Sequence, residues 1–383
     1  MDNVDSRTGV AIAPLSERES LTAIVYGDTF ALYDEAAFDE FVRPLYERLR
    51  ANAIDTDVFR GKRCLDAGCG GGRGSVLMAQ CGAREVIGVD LSPVNIESAR
   101  KRARQKGLDQ VRFEQARLSS IPFTDESFDI VWCNGVLHHM EDPDKGLLEV
   151  SRVLKTGGWL WLYLYGSGGT YWYVIDWIRH ELRDVAVRDC IVQLRLMEAP
   201  VRRIAEWIDD WFVAHLRRYT AADVTARLTD LGFDQAEPLG FGVGYDTSHR
   251  RSGAGSLERV HMGEGDLRFF SQKRKAVSGT SAALPDPPDG KGSLFADGAT
   301  VTRFAQPLGD VSRALAALES RSGRPQPAIR IMACRAIHSR VRGLLESSEP
   351  FDAEALEIQM RTVTSLIDEL DRAVGSDSRL RQP

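Results

Sequence analysis

The sequence predicts an α/β protein with a parallel sheet covered by helices on both faces. Two observations carry this expectation. Short β-type runs alternate with helical patterns from residue 62 onward, the signature of strand-helix-strand units. A glycine-dense turn stands directly after the first of those runs. At 383 residues, with 43% hydrophobic and 27% charged side chains, the chain has the make-up of a globular protein with a buried core. That length holds one large domain, or a domain of about 250 residues with a smaller companion.

In chain order, residues 1–19 are polar and read as a flexible N-terminus. Phe30, Tyr33, Phe38, Phe41, Leu45 and Leu49 then recur at helical spacing and predict one or two amphipathic helices. Strands are expected over 63–65, 85–89, 110–114, 128–133 and 159–165, with two more over 235–245 and 267–272 to complete a seven-stranded sheet. Residues 171–219 turn helical and aromatic-rich where a simple alternating fold needs one crossover helix, so they read as a helical insertion capping the domain. Thr220 and Asp223 resemble a capping box that opens a helix running to Leu231, with Gly232 as its stop.

Ser, Gly and Pro gather over 276–298, including Pro285, Pro287 and Pro288, and mark a linker. The main domain therefore spans 20–275, and a C-terminal helical region follows over 299–383. There Leu356, Met360, Val363, Ile367, Leu370 and Val374 form a coiled-coil-like stripe. Two partners suit the stripe: the preceding helix of the same chain, or a second copy in a homodimer.

A net charge of −6 provides no overall basic field, so nucleic acid is not expected as a partner. The six cysteines form no CxxC pair and no spacing suited to zinc, so no metal site is expected and reduced thiols in a cytoplasmic protein fit best. The N-terminus lacks a basic segment followed by an apolar run, and no secretory signal is expected. The most apolar stretch, 159–177, is broken by Gly166, Gly168 and Gly169 and carries Asp176, which reads as strand plus loop rather than a membrane span.

The chemistry concentrates in the run from Cys64 to Gly74. It places Asp66 where a strand ends, then Gly68, Cys69, Gly70, Gly71 and Gly72 in a turn, then a helix. Glycine matters there because a side chain would block close backbone approach to a ligand. The nicotinamide fingerprint Gly-x-Gly-x-x-Gly fits no frame of the run, since its third position falls on Arg73, Ser75 or Leu77. A dinucleotide site is thereby disfavoured. Asp90 ends the next β-run, eighteen residues past Gly72, and its two acceptor oxygens suit a diol.

Asp66, Gly68, Gly70 and Gly72 resemble motif I of the class I S-adenosylmethionine (SAM)-dependent methyltransferases. Further segments resemble the middle of the type 11 small-molecule methyltransferase family, in order: Ser120-Ile121-Pro122-Phe123, Ser127-Phe128-Asp129-Ile130-Val131, Val136-Leu137-His138-His139-Met140, and Glu149 through Gly158. The resemblance covers about 62–165 and implies a Rossmann-like class I methyltransferase sheet. It also implies SAM as cofactor, S-adenosylhomocysteine (SAH) as product, and cofactor contacts from Asp66, Gly68, Cys69, Gly70, Gly72, Asp90, Leu91, Leu118 and Asn134. One position departs from the family: Arg117 stands where an Asp often accepts from the adenine amine.

A base is needed if the methyl acceptor is a hydroxyl or ammonium. His139 and His138 are the local candidates, since imidazole titrates near neutral pH, and Tyr165 and His215 complete the catalytic set. Tyr26, Tyr33, Tyr171, Trp172, Trp211 and Tyr219 are candidates for binding the acceptor. Trp207, Trp211 and His215 recur every four residues and predict one helix face. The expected activity is methyl transfer to an oxygen or nitrogen of a small or medium metabolite. A peptide or protein methyltransferase docking through the C-terminal helices is one alternative, and a non-catalytic SAM-binding assembly protein is another.

Overall fold

The computed structural model describes residues 15–30, 32–242 and 262–275. Seven strands form one sheet: β1 (Arg63–Ala67), β2 (Glu85–Asp90), β3 (Val111–Gln115), β4 (Phe128–Asn134), β5 (Leu154–Tyr165), β6 (Phe233–Asp234) and β7 (Asp266–Lys273), ordered β3-β2-β1-β4-β5-β7-β6. The first five run parallel, while β7 pairs antiparallel with both β5 and β6. The seven-stranded Rossmann-like sheet expected from the sequence is present, with its strand-helix-strand part parallel and its last two strands antiparallel. The helices are α1 (Glu17–Phe30), α2 (Glu35–Ala51), α3 (Arg73–Gln80), α4 (Pro93–Gln105), α5 (Pro143–Val153), α6 (Thr170–Glu181), α7 (Val187–Leu196), α8 (Val201–Phe212) and α9 (Ala221–Asp230).

Side chains alternate across the sheet with period two. On β1, β4 and β5 one face carries Leu65, Val131, Cys133, Leu160 and Leu162 into a core with Leu147 and Val150 of α5 and Val224 and Leu228 of α9. The opposite face carries Cys64, Ile130, Trp132 and Trp161 against Leu45 and Leu49 of α2 and Leu77 and Met78 of α3. Trp132 and Trp161 stack with centroids 4.4 Å apart. Burial on both faces explains why these strands read as continuous apolar runs.

Helix starts follow from local chemistry. Ser92 caps α4, where its side chain accepts from the Asn95 N–H and Pro93 takes the first turn. Thr220 caps α9 by accepting from the Asp223 N–H, as the capping box predicts. Gly232 ends that helix at φ +81°.

Three local expectations are corrected. The strand expected over 235–245 is replaced by the two-residue β6, with Gln235 at φ +51° and Pro238 unable to donate to a ladder; residues 243–245 lie outside the described residues. β5 begins at Leu154, with a register shift opposite β4 between Phe128 and Ile130. His215 does not share a helix face with Trp207 and Trp211, because α8 stops at Phe212. The chain leaves the helix to bond with the turn after β4 and with the end of β5: the Arg217 N–H donates to the His138 carbonyl and the Tyr219 N–H to the Tyr165 carbonyl.

Most described residues belong to one compact unit, which holds the sheet together with α1, α7 and α8. Described residues 168–181 and 262–263 belong to a second unit, so the inserted stretch is divided between the two. Of the segment expected to be flexible over 1–19, residues 17–19 instead open α1, and residues 1–14, the linker over 276–298 and the helices over 299–383 with their dimerisation stripe lie outside the described residues. Among the described residues no helix is long and apolar enough to cross a membrane.

Candidate functional site

Strand order reverses between β1 and β4, and in open sheets a crevice forms above the carboxyl ends at such a point. A cavity of about 460 Å³ lies there, roofed by α1 and α8. Its size falls within the range of small-molecule sites, roughly 300–1,000 Å³.

The floor is built from backbone. Gly68, Gly70 and Gly72 take φ values of +75°, +50° and +89°, in the left-handed region where a side chain is strained. A Cβ on Gly68 would come within 2.5 Å of the Val136 side chain, and one on Gly70 within 2.5 Å of the Phe30 ring. Asp66 is buried at the end of β1, and the Ser75 hydroxyl donates to its Oδ2 at 2.7 Å. Burial pushes the Asp66 carboxyl up to about 6, against the opposing hydrogen bond from Ser75. Asp90 ends β2. Its Oδ2 accepts from the Gly70 N–H at 2.9 Å, and its Oδ1 accepts from the Ser92 N–H at 2.8 Å and the Asn95 amide at 3.2 Å. Burial raises this carboxyl too, and those three donors oppose the rise. A carboxylate has about four lone-pair sites, so Asp90 keeps capacity for a further donor.

The wall after β4 carries Asn134 and the helical turn Leu137–His139. The Trp161 indole N–H donates to Asn134 Oδ1 at 2.9 Å, which turns the amide nitrogen away from the tryptophan. His139 Nδ1 lies 2.9 Å from the His215 carbonyl. A carbonyl only accepts, so Nδ1 carries the hydrogen and Nε2 carries the lone pair of the neutral ring. That Nε2 sits 3.7 Å from Asp209 Oδ1.

The roof is built from side chains. The Tyr26 hydroxyl of α1 donates to Asp209 Oδ1 of α8 at 2.6 Å, and the Tyr165 hydroxyl of β5 donates to Asp209 Oδ2 at 3.2 Å. Burial first, then the Asp209 charge, raises both phenols well above their ordinary value, so both remain donors at neutral pH. At the other end of α1, Arg117 donates through Nε and Nη2 to the Glu19 carboxylate at 2.9 and 3.1 Å. That guanidinium holds the Glu19 carboxyl below its usual range. Arg188 of α7 ties α1 down through Asp28 at 2.8 Å.

Of the residues singled out from sequence, Tyr26, Tyr33, Asp66, Gly68, Cys69, Gly70, Asp90, Leu91, Leu118, Asn134, His139, Tyr165 and His215 line this one cavity. Gly72 instead caps α3 beneath the turn. His138 is fully buried and stacks on Tyr165 at 4.0 Å, and burial followed by the neighbouring His139 pushes its imidazole well below its ordinary value. Trp211 stacks on Trp207 within the α7/α8 core, and Tyr219 is buried in the core under β5. Tyr171 and Trp172 lie on α6 in the second unit. Sequence reading missed Glu19 and Asp209, both of which line the cavity. The one signal for Asp209 was its place on the side of α8 opposite the two tryptophans.

Residues 65–162 match the family described as Methyltransferase domain. Methyltransferase GfsG of Streptomyces halstedii is 38% identical over 123 residues, which cover 32% of this chain and 42% of that protein. The 27-O-demethylrifamycin SV methyltransferase of Amycolatopsis mediterranei is 40% identical over 126 residues, covering 33% of this chain and 45% of that protein. The chain thus spans less than half the length of these two relatives. The solved YcgJ protein of Bacillus subtilis aligns over 56% of this chain and 94% of its own, at 22% identity and a TM-score of 0.38.

Proposed function

We propose that the chain, whose residues 65–162 match a methyltransferase domain, is a class I SAM-dependent enzyme that transfers a methyl group to an oxygen or nitrogen of a small or medium-sized metabolite. One observation supports this most: a single cavity joins the glycine turn, Asp66 and Asp90 at its floor to His139, Tyr165 and Asp209 at its roof. The residues present fit the cofactor. Gly68 and Gly70 hold left-handed backbone without a side chain over the turn, and Asp90, whose Oδ1 is filled by Ser92 and Asn95, keeps a lone pair on Oδ2 for a ribose hydroxyl.

When bound, SAM supplies a sulfonium methyl that is already activated. The chain's own residues then have to hold an acceptor in line and exclude water, which can supply effective molarities of roughly 10⁵ M or more. In this reading Asp66, Cys69, Leu91, Leu118 and Asn134 line the cofactor's end, and Tyr26 and Tyr33 close over the acceptor's end. His139 is the base, because its Nδ1 is engaged by the His215 carbonyl and its Nε2 lone pair is the site for a proton. His138, buried and neutral, packs behind it. The roof of α1 and α8 favours a small acceptor over a folded protein.

Incubation with methyl-labelled SAM and a panel of phenols, alcohols and amines tests the proposal. Transfer of label to a small molecule with equimolar SAH is expected, and His139→Ala should reduce it by about 10²-fold or more. SAM binding without label transfer to any of these acceptors would favour the non-catalytic alternative.

A further inference from the structure

Resting on the methyltransferase reading, we infer that Asp209 of α8 is the acceptor-selecting residue of this site: it takes a hydrogen bond from the reacting atom, so the substrate must present an O–H or N–H on a flat apolar body. The motif-bearing core of the domain, over 65–162, does not contain this residue. It arrives from the helices between β5 and β6.

The geometry is specific. Asp209 lines the cavity with its side chain about one-quarter exposed, so it is reachable from within. Tyr26 and Tyr165 grip one carboxylate oxygen each, which fixes the carboxylate's orientation from two different elements. Two donors leave about half of its lone-pair capacity for a third group. His139 Nε2 lies 3.7 Å from Oδ1, so the hydrogen on the reacting atom is shared between Asp209 Oδ1 and the base until the base takes it. The Tyr26 ring meets Phe30 at 5.6 Å and His139 edge-on at 5.7 Å, and these rings form apolar walls for a planar body. A carboxylate whose remaining lone pairs lose their water without gaining a donor is penalised, so an ether or tertiary amine of the same shape should be rejected.

The test titrates the full chain, with and without SAH, with phenol against anisole and aniline against N,N-dimethylaniline, read by calorimetry. Phenol and aniline should bind about tenfold or more tighter than their methylated counterparts, from the roughly 1.5–3 kcal/mol of a hydrogen bond to a charged group. In Asp209→Asn that preference should shrink several-fold while SAH affinity stays unchanged. Tyr165→Phe, which removes one grip on the carboxylate, should weaken the preference part-way and serves if the Asp209 variant fails to fold. Equal binding of both members of each pair, no binding by either, or an undiminished preference in these variants would overturn the inference. Absent SAH binding in the wild type would instead strike the methyltransferase reading, and the preference would still be read without SAH.

Discussion

The floor and the roof of the cavity are held by different physics. The floor is backbone in left-handed conformation plus two carboxylates, Asp66 and Asp90, whose partners lie within about twenty residues of them in sequence. The roof is joined by side-chain bonds between distant parts of the chain: Tyr26 reaches Asp209 across 183 positions and Arg117 reaches Glu19 across 98. The floor therefore tolerates little change in shape, whereas the roof tolerates changes that preserve its few polar contacts. A cofactor common to many enzymes suits the first arrangement, and an acceptor particular to one enzyme suits the second.

The largest expected effect lies in the floor. Gly68→Ala combines left-handed strain of roughly 1–2 kcal/mol with overpacking against Val136 of roughly 1–3 kcal/mol, because its Cβ would fall 2.5 Å from that side chain. Urea unfolding should show a loss of about 2–5 kcal/mol. A loss below about 1 kcal/mol would mean that the turn relaxes freely and the contrast with the roof is overstated.

Asp66→Asn comes next and is pH-dependent. Asp66 titrates at about 6 in the folded chain against an ordinary 3.8, so the folded state keeps its proton longer than the unfolded state as pH rises. Its contribution to stability is complete below about pH 3.8 and lost as pH rises to about 6. Relative to wild type, the Asn variant should gain on the order of 3 kcal/mol between pH 4 and pH 7.5. A difference that does not change with pH would show that Asp66 ionises without penalty.

Roof substitutions should cost less. Tyr26→Phe loses one hydrogen bond to a carboxylate, about 1.5–3 kcal/mol at most and less where water can replace it. It should raise the acceptor KM several-fold and leave SAH affinity unchanged. Glu19→Gln breaks a partly exposed ion pair and should cost under about 1 kcal/mol, detectable as faster amide exchange in the first turns of α1. A Tyr26→Phe variant that lost SAH binding would break the division between floor and roof.

That division also explains what the sequence made legible. The glycine turn, Asp66 and Asp90 were readable because left-handed backbone and strand ends are local properties that glycine and apolar runs record directly. The first four strands were readable for the same reason, within one or two residues. The end of α8 was not, because the helical period through Trp207 and Trp211 continues on paper to His215. In the structure the chain departs at Val213 to pair with the end of β5, and this brings the His215 carbonyl to His139. Asp209 was hidden because its neighbour Asp210 has the same chemistry and only tertiary packing decides which of the two faces the cavity. β6 stops at Asp234 because Gln235 takes a left-handed φ of +51°, a conformation that a glutamine in the sequence does not signal.

The most direct measurement is calorimetric titration of SAH into the wild type, Asp90→Ala and Asp209→Asn, side by side. The account predicts binding at one site per chain, weakened about tenfold or more by Asp90→Ala and unchanged by Asp209→Asn. No binding to the wild type, or equal losses in the two variants, would contradict it.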